Sequence, residues 1–192
     1  MSGLALAYAG LFSGVLTLAL CAVLFMTYVF GYTPLKKKTY AAQWIGALAG
    51  SVPPLIGWSI ARGTLDSRAF VLFMILFVWQ FPHILAIGWV YREDYRKGGF
   101  RALASNDPEG RKTVTQMVVG SVALALVSFA PVMTGLSGPL YFGGMLIVGT
   151  LFVMMSAFLR PAKLDMQARR FMLTSVVYLS LLIFFMILDH LT

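Results

Sequence analysis

Six apolar runs, each long enough to cross the hydrocarbon core of a bilayer, occupy most of this 192-residue sequence: about 3 to 30, 42 to 61, 68 to 92, 114 to 134, 139 to 159 and 168 to 189. A helix needs about 20 apolar residues for that crossing, and every run reaches this length. An unpaired backbone amide in lipid costs several kcal/mol, so such runs must close their hydrogen bonds within helices or around a barrel. The strict apolar/polar alternation of barrel strands is absent. The expected fold is therefore all-α, a polytopic transmembrane helical bundle of about six spans. Composition agrees: 59% of the residues are hydrophobic, 11% are charged, and the mean hydropathy is +0.83, outside the range of domains that fold in water.

A net charge of +8 raises the question of nucleic acid, but its distribution argues against that partner. Alternate loops collect Lys36, Lys37 and Lys38; then Arg92, Arg96, Lys97, Arg101, Arg111 and Lys112; then Arg160, Lys163, Arg169 and Arg170. The opposite loops hold only Arg62 and Arg68, so 13 of the 15 basic residues lie on one face, which places that face on the cytoplasmic side and both termini on the other. For most of these charges, orienting the helices is a sufficient role. The single cysteine, Cys21, lies within an apolar run, which excludes an intramolecular disulfide and a multi-cysteine metal site. The first run begins almost at Met1 without the basic flank of a signal peptide, is longer than one crossing requires, and is interrupted by Gly10, Ser13 and Gly14.

No linker or repeat divides the chain, so residues 1 to 192 read as one transmembrane domain. The longest polar segment, about Glu93 to Thr113, carries four of the seven acidic residues: Glu93, Asp94, Asp107 and Glu109. At 3.6 residues per turn, Gln80, His83, Ile87, Tyr91 and Asp94 fall on one mostly polar stripe, which should face the protein interior. A histidine at membrane depth marks either a functional site or an interhelical hydrogen bond. Pro82, beside it, is expected to kink the span. At the end of the stripe, Glu93 and Asp94 stand among Arg92, Arg96 and Lys97. Carboxylates hold a hard cation such as magnesium while basic side chains take up phosphate charge, although a solvated loop at the membrane boundary has the same composition. The cluster Lys36-Lys37-Lys38 beside Thr33 and Thr39 suits a diphosphate or anionic lipid head groups. Pro53 and Pro54 should break regular helix inside the second span, where broken backbone must be buried or line a cavity.

Taken in order, Tyr32-Thr33-Pro34-Leu35-Lys36-Lys37, Pro53-Pro54-Leu55-Ile56-Gly57-Trp58, Gly63-Thr64-Leu65-Asp66, Trp79-Gln80-Phe81-Pro82-His83 and Arg92-Glu93-Asp94-Tyr95-Arg96-Lys97-Gly98-Gly99 resemble the UbiA-type intramembrane prenyltransferases, in their protoheme IX farnesyltransferase (heme O synthase) branch. These motifs cover about residues 32 to 103; the later helices agree in number and hydropathy.

The resemblance implies transfer of a farnesyl group from farnesyl diphosphate to a vinyl group of heme B, giving heme O for terminal oxidases. It implies Mg2+ held by Asp94 and Glu93, diphosphate charge neutralised by Lys36, Lys37, Arg96 and Lys97, and substrate binding by Tyr32, Thr33, Gln80, His83, Tyr91 and Tyr95. An apolar cavity would shield the allylic cation from water. His83 would ligate iron, orient a propionate or polarise a neighbour. The implied setting is a bacterial inner membrane, or the mitochondrial one in a eukaryote, with the active site on the positive side. Membrane lipids and other heme A or oxidase biogenesis proteins are the implied partners. In two places the chain departs from the wider superfamily. The residue four beyond Asp94 is Gly98, where an Asp-x-x-x-Asp motif is usual, and no Asn-x-x-x-Asp-x-x-x-Asp motif occurs. The six spans match the fourth to ninth helices of about nine, so an N-terminally truncated chain is expected. The alternative is a catalytically incomplete relative that binds heme or a prenyl lipid; a small transporter or channel is a third reading.

Overall fold

The computed structural model describes the backbone from Ser2 to Thr192 and the side chains from Gly14 onward. The interruptions expected at Gly10 and Ser13 lie outside the described side chains, whereas Gly14 does interrupt the first helix, with φ of 84° and ψ of 166°. Helices, turns and short irregular stretches account for the described residues, and no strand occurs among them. In chain order the helices are α1 (Ser2–Met26), α2 (Thr33–Leu35), α3 (Ala42–Ser51), α4 (Pro53–Arg62), α5 (Ser67–Val90), α6 (Arg92–Lys97), α7 (Arg111–Val127), α8 (Ala130–Met133), α9 (Pro139–Ala157) and α10 (Leu164–Leu191). A π-helical stretch, Thr27–Tyr32, joins α1 to α2.

Among the described residues, six segments are long and apolar enough to cross a membrane: Gly14–Leu35, Ala42–Arg62, Ser67–Val90, Arg111–Met133, Pro139–Ala157 and Pro161–Leu191. They follow the six predicted runs in order, the first continuing to Leu35 where the run was predicted to end near residue 30, and the protein is a multi-pass helical membrane protein. The sixth extends further than predicted, because α10 begins at Leu164 and carries Arg169 and Arg170 within it. Exposed apolar residues such as Leu126, Leu146, Leu151, Val177 and Ile183 recur along the spans, as lipid contact requires.

The chain divides into two compact units, 1–77 and 78–192. In the first, the two prolines divide the second span by chemistry rather than by backbone angle. Val52 keeps helical dihedrals (φ −68°, ψ −32°), but Pro53 and Pro54 have no N–H to donate, so the ladder stops between α3 and α4. The Val52 N–H turns to the Ala49 carbonyl at 3.3 Å. Thr17 on α1 and Ser59 on α4, both buried, are hydrogen-bonded at 2.8 Å. The π-helical stretch lies close on α3: a Cβ at Gly46 would meet the Tyr32 ring at 3.0 Å, and one at Gly31 would meet Ile45 at 3.0 Å.

In the second unit, α9 packs between α7 and α10. Fully buried Tyr141 and Tyr178 both reach Ser128: the Tyr141 hydroxyl donates to its carbonyl at 2.8 Å, and the Tyr178 hydroxyl is 2.7 Å from its Oγ. Phe152 stacks near Phe171 and Tyr178, with ring centroids 5.1 and 4.9 Å apart. Gly144 admits the Phe185 ring, whose atoms lie 2.7 Å from where a Cβ would sit. Pro82 does not end α5, which stays helical through Val90, and its fully buried ring fits against Gly120 on α7.

Candidate functional site

The seven acidic residues differ in what their carboxylates hold. Asp66 accepts the backbone N–H of Arg68 (3.0 Å) and Ala69 (3.2 Å) at the start of α5. Asp107 accepts both the N–H and the hydroxyl of Thr113 in the first turn of α7. Asp189 accepts the N–H groups of Gly138, Leu140 and Tyr141 at the start of α9. These three are helix caps. Asp165 takes the Trp89 indole N–H at 2.7 Å and pairs with Arg92 at 3.0 Å. Glu93 pairs with Arg96 at 2.8 Å, and Glu109 with Arg111 at 2.9 Å. Asp94 is different: its exposed carboxylate makes no hydrogen bond or ion pair among the described residues.

The setting of Asp94 follows from its neighbours. The stripe expected from Gln80 to Asp94 does not run unbroken, because Tyr91 leaves the helical region (φ −106°, ψ 24°) and α6 starts anew at Arg92. Asp94 therefore sits on a short separate helix with Glu93 beside it and Arg96 and Lys97 in its last turn. Gly99, with φ of 71°, then turns the chain so that Phe100 donates its N–H to the Tyr95 carbonyl at 2.8 Å. The Tyr95 ring meets Phe100 edge-on at 5.9 Å, and burial pushes its phenol above the ordinary tyrosine value, with Tyr91 adding to the shift. It stays neutral and able to donate a hydrogen bond at neutral pH. Tyr91 is exposed.

Deeper in the second unit, Trp79 and His83 both engage Ser175 on α10. The indole N–H donates to the Ser175 carbonyl at 2.6 Å, and His83 Nδ1 lies 2.7 Å from Ser175 Oγ. The two rings stack at 4.5 Å. Gln80 is half-buried on the same helix.

In the first unit, Tyr32, Thr33, Lys36 and Lys37 sit on the connection that opens with the π-helical stretch. Thr33 spends its hydroxyl on the Tyr28 carbonyl at 3.0 Å. Tyr32 is half-buried against α3, and the Lys36 ammonium lies 5.6 Å from the centre of its ring. Thus the Tyr32 ring packs against α3, while Thr33 and Lys37 are exposed.

No group of three or more His, Cys, Asp or Glu side chains able to hold a metal occurs among the described residues. A self-sufficient protein cage is therefore not what Glu93 and Asp94 form. Magnesium, however, is commonly held by one or two carboxylates plus the oxygens of a phosphate substrate and water. An exposed, unpartnered Asp94 with Glu93 next to it suits that mode.

Ser175, Asp165 and Asp107 were not singled out as site or positioning residues in the sequence. Ser175 resembles any small hydroxyl in an apolar helix; a signal for Asp165 existed only in its being the lone acid of a basic loop.

This fold and this boundary motif define a multi-pass helical membrane protein that presents an acidic pair among basic side chains. The chain matches the UbiA prenyltransferase family over residues 1 to 186 and belongs to that family. It is 40% identical over 193 residues to the protoheme IX farnesyltransferase of Solibacter usitatus, covering 98% of this chain and 66% of that protein. The protoheme IX farnesyltransferase of Koribacter versatilis is 38% identical over 190 residues, covering 95% of this chain and 61% of that protein. The chain thus spans roughly three-fifths to two-thirds of the length of these curated relatives. No solved structure matches it.

Proposed function

We propose that the protein transfers a farnesyl group from farnesyl diphosphate to a vinyl group of heme B, giving heme O. The observation that carries this reading is Asp94: the other six carboxylates are used in caps and ion pairs, and this one is left available inside the motif shared with the heme-farnesylating branch. Family membership and the names of the relatives support it. The family match runs through both compact units, which supports treating residues 1 to 192 as one domain.

In the reaction the bond from the allylic farnesyl carbon to the diphosphate oxygen breaks, a carbon–carbon bond forms to the terminal vinyl carbon, and the cation left on the adjacent vinyl carbon takes up water and releases a proton, which leaves a hydroxyl on the new side chain. Negative charge grows on the departing diphosphate. Asp94 and Glu93 would hold magnesium, which supplies Lewis-acid stabilisation of that charge when bound. Lys97 is exposed beside Asp94 and offers a mobile ammonium to the same anion. Arg96 shares its guanidinium with Glu93, so it both orients that carboxylate and adds positive charge. Lys36 and Lys37 belong to the first unit, and their assignment to diphosphate rests on their chemistry and on the family motif. Tyr32, Thr33, Tyr91 and Tyr95 belong to substrate binding on the same ground, while Gln80 and His83 are assigned to the heme. The positive loops face the cytoplasm of a bacterial inner membrane, or the equivalent side in mitochondria.

The test is production of heme O by cells that lack their own synthase and express this protein from its gene. Heme O should appear by chromatography and mass spectrometry, and Asp94→Asn should abolish it. Accumulation of heme B with no heme O, despite folded protein in the membrane, overturns the proposal.

A further inference from the structure

His83 is gripped from one side only. Ser175 is fully buried on α10, with its Oγ 2.6 Å from the Met172 carbonyl and 2.7 Å from His83 Nδ1. A carbonyl can only accept, and a hydroxyl has one proton. Two oxygens do not settle at 2.6 Å without a proton between them, so the serine hydroxyl donates to Met172. Its Oγ must then accept from the ring, which places the imidazole proton on Nδ1.

The ring plane is held as well. Trp79 stacks on the imidazole at 4.5 Å with 19° between planes, and its own indole N–H is anchored on the Ser175 carbonyl. Nε2 is left with a lone pair, has no hydrogen-bond partner among the described residues, and is not among the buried unpartnered atoms there. This is the arrangement of a ligating histidine: one nitrogen donates to a protein acceptor, which orients the ring and raises the basicity of the other. A histidine that served only to join α5 to α10 would need the Nδ1 bond, but not a stacked ring with an accessible Nε2.

We propose that Ser175 is a positioning residue that locks His83 in the Nδ1–H tautomer, making Nε2 the axial ligand for the iron of the porphyrin substrate. The ligation rests on the heme reading above; the tautomer does not. All the groups involved lie in the second unit, on α5 and α10.

Two measurements on the full chain in detergent test this. The first is 15N NMR of histidine-labelled protein without heme; with two histidines, His83 and His190, one His190→Gln variant assigns the signals. His83 should show a protonated Nδ1 and a bare Nε2; a proton on Nε2 overturns the tautomer and with it the proposal. The second is titration with ferric heme and with iron-free protoporphyrin IX. Heme should give an imidazole–iron spectrum that His83→Gly abolishes and added imidazole restores. Ser175→Ala should weaken heme binding by about 10- to 100-fold, the usual effect of losing a ligand's supporting hydrogen bond, and leave protoporphyrin IX binding unchanged. An unchanged iron spectrum in His83→Gly, or equal loss of both porphyrins in Ser175→Ala, overturns ligation while the heme reading stands. Failure of the parent chain to bind either porphyrin overturns both.

Discussion

Replacing Asp107 by alanine should destabilise the loop that follows the Asp94 motif by about 3 kcal/mol. Helix α7 begins after Gly110, a residue with no side chain to cap it, and Asp107 supplies the cap from outside. Its Oδ2 accepts the Thr113 N–H at 2.7 Å and the Thr113 hydroxyl at 2.9 Å, and Thr113 has no exposed surface. Removing the carboxylate strands a buried N–H, at about 1–3 kcal/mol, whereas the hydroxyl can rotate onto a carbonyl one turn back and recover much of its share. Loss of the negative charge at a helix start adds about 0.3–1 kcal/mol. Asp107→Asn keeps an acceptor oxygen and loses only the charge assistance, so it should cost about 1 kcal/mol. The assay is unfolding in mixed micelles, with amide exchange resolved by peptide. For a chain of this size 1 kcal/mol corresponds to about 2–4 °C, so Asp107→Ala should lower the midpoint by about 6–12 °C. Amide protection should fall over residues 103 to 114 and persist around His83. An Asp107→Ala cost below about 1 kcal/mol, or equal costs for alanine and asparagine, would refute the assignment of this carboxylate as the cap.

Three further outcomes follow from the packing. Gly144→Ala should cost about 1–3 kcal/mol in the same unfolding assay, because its Cβ would lie 2.7 Å from the Phe185 ring between α9 and α10. Gly110→Ala should cost clearly more than Gly63→Ala: both have positive φ, 73° and 71°, but only at Gly110 would the Cβ strike a neighbour, the Trp89 ring at 2.8 Å. Asp94→Asn should leave the unfolding stability within about 0.5 kcal/mol of the parent, since the exposed carboxylate makes no hydrogen bond or ion pair among the described residues, and yet remove heme O formation. A large loss of stability there would show that Asp94 is structural.

The number and placement of the spans were legible in the sequence because lipid leaves a backbone no choice: about 20 apolar residues must be helical, and the bias of basic residues marks one face. The interruption at Pro53 and Pro54 was legible for the same kind of reason, since a missing N–H is a property of the residue itself. The Asp94 motif could be read as a pattern, but not distinguished from a solvated boundary loop. What the tertiary structure adds is where the other six carboxylates go, in caps and ion pairs. Arg96 and Glu93 looked like two independent groups and are one ion pair at 2.8 Å. The stripe extrapolated from Gln80 to Asp94 failed at Tyr91, because helical periodicity assumes the continuity that the break at this residue removes. His83 stood out as a polar residue at membrane depth, but whether it donates through Nδ1 or Nε2 depends on Ser175, 92 positions away. Burial in lipid is decided residue by residue and can be read along the chain; which donor meets which acceptor is decided by packing, which brings together residues that no local pattern connects.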